Sequence, residues 1–312
     1  MPFAIGGNSR IRTNIPAENA YSVLDVANRS ISLRQLRLST GKRINNASDD
    51  VAGYITSRAL HARNASLNAS LRAVGDAQNV SFIVMDSLDN IYNLLNVIKE
   101  STATAASGAL GTDEKIALAK AAYRMVQQIQ TVTDSTVFGG RQLLNGAYSA
   151  DFIIGTNATH DMISISVDMT TANADFDVDS LNFDVNSMSA TSFAGVTDLD
   201  MKKFFDVANS DLGVFAVTQM SSTLISLSLA INNINKAASY IGGIVNRLNS
   251  QEDIIKGQIT NYNAAISRIE DADVAKEQLE LVKSQFLQQT SLVSLAQANQ
   301  NPRAFLQLIQ QH

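Results

Sequence analysis

The chain has 312 residues, of which 45% are hydrophobic and only 17% charged, with a formal net charge of −5. That length allows about two compact units, and the apolar content is enough for cores, which excludes a globally disordered chain. Cysteine is absent and proline occurs three times; this excludes a disulfide scaffold, thiolate zinc and a cysteine nucleophile, and leaves room for very long helices.

The opening stretch MPFAIGGNSRIRTN lacks a basic region followed by an apolar run, so no secretory signal is expected. No run of eighteen apolar residues occurs, so no membrane span is expected. Charge is uneven. Residues 1–75 carry ten Lys/Arg and four Asp/Glu, or +6, whereas residues 145–216 carry two Lys and eleven Asp, or −9. Ala, Ser, Asn and Gln take the place of the missing charges, and such surfaces are buried against other chains at lower cost than charged ones.

The first predicted element is an amphipathic helix over 18–38, with Leu24, Ala27, Ile31 and Leu38 on one stripe that Arg34 interrupts. The second is far longer. Steps of three and four residues from Leu67 lead through Ser70, Val74, Ala77, Ser81, Val84, Leu88, Ile91, Leu95, Ile98 and Thr102 to Ala105, and nine of these twelve positions are apolar. A third helix is predicted over 113–136, capped by Thr112, with Leu118, Ala122, Met125, Ile129 and Val132 as its stripe.

Helicity then stops. VFGGRQLLNG at 137–146 holds two Gly-bearing turns, and ADFIIGTN and MISISVDM flank a polar turn, which predicts a β-hairpin. Residues 170–216 are acidic and turn-rich and read as a small connection, with an edge strand near 175–186 that turns Phe176 and Val178 inward. The strongest period follows: Leu224, Leu227, Ile231, Ile234, Ala238, Ile241, Val245, Leu248, Glu252, Ile255, Ile259, Tyr262, Ile266 and Ile269, with thirteen of fourteen positions apolar or aromatic. A repeat of 3.5 residues held this long is a coiled-coil seam. A last, weaker helix is predicted over 279–300, with Leu279, Val282, Phe286, Val293 and Ala296 interrupted by Gln289.

Length decides the expected shape. At about 1.5 Å per residue the two seams span roughly 58 and 69 Å, more than the diameter of a compact globule of this chain, roughly 50 Å. The fold class expected is mainly α: a long antiparallel coiled-coil or helical-bundle rod with a small β-hairpin region. Leu88, Ile91, Leu95 and Ile98 are expected to pack inside the molecule against Ile231, Ile234, Ile241, Val245 and Leu248, because each seam has the other as a length-matched partner. The end helices have no third partner in the chain. Leu24, Ile31, Leu38, Phe286, Val293, Leu295, Phe305 and Leu308 are therefore expected to meet other copies. From Ser284 onward Arg303 is the one formally charged side chain, and eight Gln occur, so the amides there can be satisfied by a neighbour without burying charge.

Chemistry-bearing motifs are absent or broken. STGK at 39–42 lacks the glycine and the Ser/Thr that a phosphate loop needs, with Leu36 and Arg43 in those places. Asp175, Asp177 and Asp179 have calcium-loop spacing, but Ser180 replaces the glycine and Asn186 the bidentate glutamate. His61, His160 and His312 are scattered and read as solvated surface residues, and neither HExxH nor GxSxG occurs. Asn-x-Ser/Thr triplets at Asn46, Asn64, Asn68 and Asn157 are what this composition produces by chance. The basic bias of 1–75 lacks interleaved aromatics, so no nucleic-acid groove is expected. The expectation is a non-enzyme with no cofactor and no metal, bound to neither nucleic acid nor membrane.

Four segments carry a family resemblance: IRTN at 11–14, RLSTGKRINNASDDVAG at 37–53, TVFGGRQLLNG at 136–146 and SRIEDADVAKEQLELVKSQFLQQTSLVSLAQANQ at 267–300. In this order and spacing they resemble bacterial flagellin, over about 11–170 and 217–312. The resemblance implies a secreted structural protein, the subunit of a helical homopolymer that forms the motility filament, with terminal segments that order on assembly. It implies residues 1–51 and 271–312 as the two parts of an inner terminal coiled coil, 52–175 and 217–270 as the two parts of a rod domain, and 176–216 as a short variable connection. It also implies type III export without a cleaved signal peptide to an extracellular flagellum, an export chaperone on the C-terminal segment, and filament-cap and hook-junction partners.

The chain departs from the family pattern in places. Its start is about seven residues longer, and its end finishes in Gln-Gln-His where many members end near a basic residue. Members seen by the vertebrate innate immune receptor carry an LQRVRELA-type run, matched here by LNVIKEST at 95–102, with Val97 in place of an Arg and Ser101 in place of a Leu. Those two departures speak against receptor recognition. The rival reading within the same organelle is the hook–filament junction protein, which shares the terminal motifs; ASDDVAG together with SQFLQQTSLVSLAQANQ favours flagellin.

Overall fold

The computed structural model describes residues 13–156, 162–170, 192–197, 201–208 and 211–310, with 173, 175, 178, 182–185 and 199 between them; of 301–310 it describes the backbone alone. Five helices dominate: α1 (Ile15–Thr40), α2 (Val51–Ala105), α3 (Thr112–Ser135), α4 (Val217–Glu270) and α5 (Val274–Gln310). Six strands pair as three antiparallel hairpins: β1 (Val137–Phe138) with β2 (Arg141–Gln142), β3 (Ser149–Thr156) with β4 (Met162–Asp168), and β5 (Ser192–Phe193) with β6 (Val196–Thr197). The class is mainly α, with a small β region. The chain divides into two units, one running to Asn64 and resuming at Thr260, the other Ala65–Ile259.

In the larger unit the periodicity of α2 and α4 becomes a core. Every seam position of α2 from Ser70 to Ala105 is buried, and Leu88, Ile91, Leu95 and Ile98 have no exposed surface. Ile231, Ile234, Ile241, Val245 and Leu248 of α4 lie in the same cluster. The two fully inaccessible hydroxyls in the seam are not orphaned, because Ser81 Oγ donates to the Ala77 carbonyl and Thr102 Oγ1 to the Ile98 carbonyl. Gln78 of α2 donates to Asn249 and Glu252 of α4 at the edge of the seam.

Helix α3 differs from expectation in two details. Gly111, with no side-chain bond, stands at its N-cap, so Thr112 is its first helical residue and not its cap. Its buried line is Ala119, Ala122, Val126, Ile129 and Thr133. Leu118, Met125 and Val132 sit half-buried beside it. Small residues let the backbone approach closely, and the larger neighbours then close the margins.

The β segments follow their turn chemistry. Gly139 and Gly140 adopt φ of 58° and 80°, which fits the two-residue turn whose twist matches a hairpin. β3 and β4 form the expected hairpin, with a register shift at Ile153/Gly155; its turn, 157–161, lies outside the described residues. Ala194, with φ 49°, and Gly195 turn β5 into β6, and the Ala194 carbonyl accepts from Asn233 of α4 at 2.8 Å.

The segment expected to be a connection belongs to the core. Phe183, Phe193, Phe204 and Phe215 are all essentially inaccessible, and Phe183–Phe193 and Phe204–Phe215 meet edge to face at 6.2 and 5.7 Å. No strand forms at 175–186 among the described residues; Phe183 and Val185 are buried there and Val178 half-buried, while Phe176 lies outside the described residues. The Val185 amide donates to Gln130 of α3, and Thr133 Oγ1 to the Phe183 carbonyl. Backbone pairing to α3 side chains replaces the expected edge strand.

Candidate assembly surface

The smaller unit is built on α1 and α5, and its chain reversals follow from the sequence. Asn14 accepts the Ala17 amide and Pro16 occupies the first turn, so α1 starts there. Gly41 at φ 69° ends it in the left-handed conformation, which is the structural use of STGK. Asp49 accepts the Asn45 and Asn46 amides, and Asp50 accepts the Gly53 amide at the start of α2. These two backbone bonds hold the Asp49 carboxyl below the usual carboxylate range. At Gly53 a Cβ would stand 2.6 Å from both Asp50 Oδ2 and Ile44 Cδ1, so those side chains must shift to admit one. On the other side Asp273 caps α5 by accepting the Ala275 and Lys276 amides. The two reversals are tied together: the Arg43 amide donates to the Glu270 carbonyl at 2.6 Å and the Ala272 amide to the Gly41 carbonyl at 2.9 Å.

Charge pairing fixes the register. Arg34, the residue that interrupts the stripe of α1, donates to Glu277 of α5 at 2.7 Å, and Arg37 donates to its other oxygen at 3.3 Å. Glu277 is buried, so two guanidiniums hold one desolvated carboxylate. Glu270 is buried as well and accepts Lys42 Nζ at 2.6 Å, with His61 Nε2 at 2.7 Å from its other oxygen. Desolvation pushes the Glu270 carboxyl up, but hydrogen bonds from Lys42 and His61 outweigh it, so its pKa lies below the ordinary value. His61 is thus not the purely solvated residue expected, since antiparallel α2 and α4 bring it to a carboxylate 209 positions away. His160 and His312 lie outside the described residues.

The contact between α1 and α5 is made of small residues. Ala27, Ser284, Ser291 and Ala298 are buried in it, with Leu281. Asn14 donates to the Ala298 carbonyl at 2.9 Å and Gln288 to Asn28 at 2.6 Å. The large apolar side chains consequently point away: Tyr21 is 64% exposed, Leu279 65%, Phe286 66% and Val293 70%. Of the residues expected to meet other copies, Phe286 and Val293 are exposed, Leu24, Ile31, Leu38 and Leu295 are half-buried, and the side chains of Phe305 and Leu308 lie outside the described residues. Tyr21, Val23 and Val26 of α1 are exposed as well. They were missed because they fall off the single stripe read in 18–38, and an apolar residue off the stripe was the available signal.

Among the described residues no group of three or more His, Cys, Asp or Glu could hold a metal ion, and no helix is long and apolar enough to cross a membrane. The fold defines a class: a mainly α protein of long helices whose terminal helices carry exposed large apolar side chains. The bacterial flagellin N-terminal helical region matches residues 11–149, and the bacterial flagellin C-terminal helical region matches residues 224–309. The flagellin of Bacillus subtilis (strain 168) is 30% identical over 96% of this chain and 99% of that protein. The flagellar filament 33 kDa core protein of Treponema phagedenis is 27% identical, again over 96% and 99%. A crystal structure of Bacillus cereus flagellin aligns at 17% identity and a TM-score of 0.43, covering 62% of this chain and 94% of that one. This chain belongs to the bacterial flagellin family.

Proposed function

We infer that this flagellin works as a filament subunit whose terminal helices complete their burial only against neighbouring copies. The carrying observation is the contrast between the two units. Leu88, Ile91, Leu95 and Ile98 of α2 and Ile231, Ile234, Ile241, Val245 and Leu248 of α4 are already buried, whereas Tyr21, Leu279, Phe286 and Val293 are about two-thirds exposed. Burying one large apolar side chain contributes about 1.5–3 kcal/mol, so a few such residues per subunit drive polymerisation and stabilise helices that are marginal alone. Self-association is thereby the function of the α1–α5 face.

The same reading takes the protein out of the cell by the flagellar type III route. An export chaperone covers the C-terminal segment until secretion, and cap and hook-junction proteins bound the growing polymer. The relatives named above are a flagellin and a filament core protein, which favours the filament over the junction. Val97, half exposed on α2, and Ser101 remain the departures that argue against recognition by the vertebrate receptor. The test is hydrogen exchange on monomer and polymer. The amides of 20–40 and 280–300 gain protection on assembly while those of 80–98 do not change; strong protection of the terminal helices in the free monomer overturns the reading.

A further inference from the structure

Beside the Glu270 cluster lies a polar cavity of about 390 Å³, lined by Lys42, Asn45, Tyr54, Ser57, Arg58 and His61 together with Ile44 and Glu270. Lys42 and His61 are spent on Glu270. Arg58 is not matched in this way. Its guanidinium lies 5.1 Å from the Tyr54 ring centroid and donates Nε and Nη2 to the Tyr54 hydroxyl at 3.2 and 2.8 Å. No described carboxylate stands within ion-pair distance of it. A phenol hydroxyl thus holds a cation in place, one turn from His61 on the same helix.

We propose that this cavity is a socket for a carboxylate side chain of a second copy of this chain, with Arg58 as its principal ligand. The proposal rests on the filament reading above and deepens it. Three features select this occupant. The lining is polar, so an apolar segment would bury the Arg58 guanidinium, whose one acceptor is the Tyr54 hydroxyl, without a counter-charge, a costly loss. An arginine already oriented by stacking and hydrogen bonds binds a planar carboxylate with little further ordering. The chain also carries the counter-charge in bulk, +6 over 1–75 against −9 over 145–216, so every copy brings acids for a neighbour's socket. Within the polymer the pair forms a charge-assisted bond in reduced solvent, which holds register between copies where the apolar face alone is non-directional.

The experiment uses the full chain carrying Arg58→Gln, Arg58→Lys or Arg58→Glu, and compares critical concentration for polymerisation with monomer melting. Arg58→Gln is expected to raise the critical concentration about tenfold, the loss of one partly screened ion pair. Arg58→Glu raises it further and Arg58→Lys restores part of the loss, while monomer melting stays near wild type. High salt narrows the gap between wild type and Arg58→Gln. Copolymerising Arg58→Glu chains with chains carrying single Asp→Lys changes in 145–216 then finds the acid, as the one pairing that recovers assembly. Wild-type polymerisation by Arg58→Glu overturns the socket alone. If Arg58→Glu weakens binding of inorganic phosphate to the monomer yet polymerises normally, the cavity takes a free anion, and the proposal fails. A wild-type chain that never polymerises overturns the filament reading with it.

Discussion

Phe286→Ala separates folding from assembly. Phe286 is 66% exposed on α5 and touches little of its own chain, so its removal takes almost nothing from the monomer. In the polymer that exposed two-thirds is covered. Full burial of a Phe contributes up to about 3 kcal/mol, so two-thirds of it contributes about 2 kcal/mol, and its loss raises the critical concentration about 30-fold. The assay is sedimentation of polymer across a concentration series, run beside thermal melting of the monomer followed by circular dichroism. The expected pattern is a large shift in the first and less than a degree or two in the second. A variant that polymerises at the wild-type concentration, or one whose monomer loses several degrees, refutes the assignment of the exposed face to assembly.

The opposite pattern is expected for Ile91→Ala, a fully inaccessible seam residue: the monomer loses about 2–5 kcal/mol, measured by urea unfolding. Gly53→Ala forces Asp50 and Ile44 apart and loosens the start of α2, at about 1–2 kcal/mol, which faster amide exchange over 44–56 reports against an unchanged 80–98. The pH dependence of the smaller unit follows from Glu270, whose folded pKa lies below its ordinary value. A depressed carboxylate contributes stability that is fully present above the unfolded value, about 4.3, and is lost as pH falls through the folded value. The stability advantage of wild type over Glu270→Gln is therefore present above about pH 5 and closes below about pH 4, measured by denaturant unfolding at each pH; a difference that persists at pH 2 contradicts the ion-pair account.

What could be read in advance was what repeats. The seams of α2 and α4 were legible because a 3.5-residue period names its own buried positions, Ser70 and Ser81 included. The hairpin of β3 and β4 was legible from alternation. The aromatic core from Phe183 to Phe215 was not, because its members lie at irregular spacings and are buried by contact with α3 and α4 instead of by a local pattern. The pairs Arg34–Glu277 and Lys42–Glu270 join residues 243 and 228 positions apart, and no local window holds both partners. Arg34 read as an interruption of a stripe because its carboxylate was out of view. The ends of α5 were under-read for a related reason: with Gln and Ser between the apolar residues, the stripe fades before the helix does.

The two units use opposite interior chemistries, and that difference explains how one chain is both stable and ready to polymerise. Leu and Ile in the α2–α4 seam fill the space between helices and leave polar atoms outside, so the larger unit gains its burial within the chain. Between α1 and α5 the small Ala27, Ser284, Ser291 and Ala298 are buried with Leu281, and Leu24, Ile31, Leu38 and Leu295 stay half-buried, so the apolar gain is smaller than in the seam. Specificity there comes instead from Glu277 between two arginines and from Glu270, buried charges whose net contribution to stability is small but whose mispairing is costly. A contact held by register and not by burial keeps α1 and α5 in the right alignment while Tyr21, Phe286 and Val293 stay outward. Replacing the small residues with leucines would move that burial inside the chain and make a more stable monomer with less to gain from a neighbour. On the proposed reading the weak helix pair suits assembly, because burial not gained within one chain is left for the exposed side chains to gain between chains.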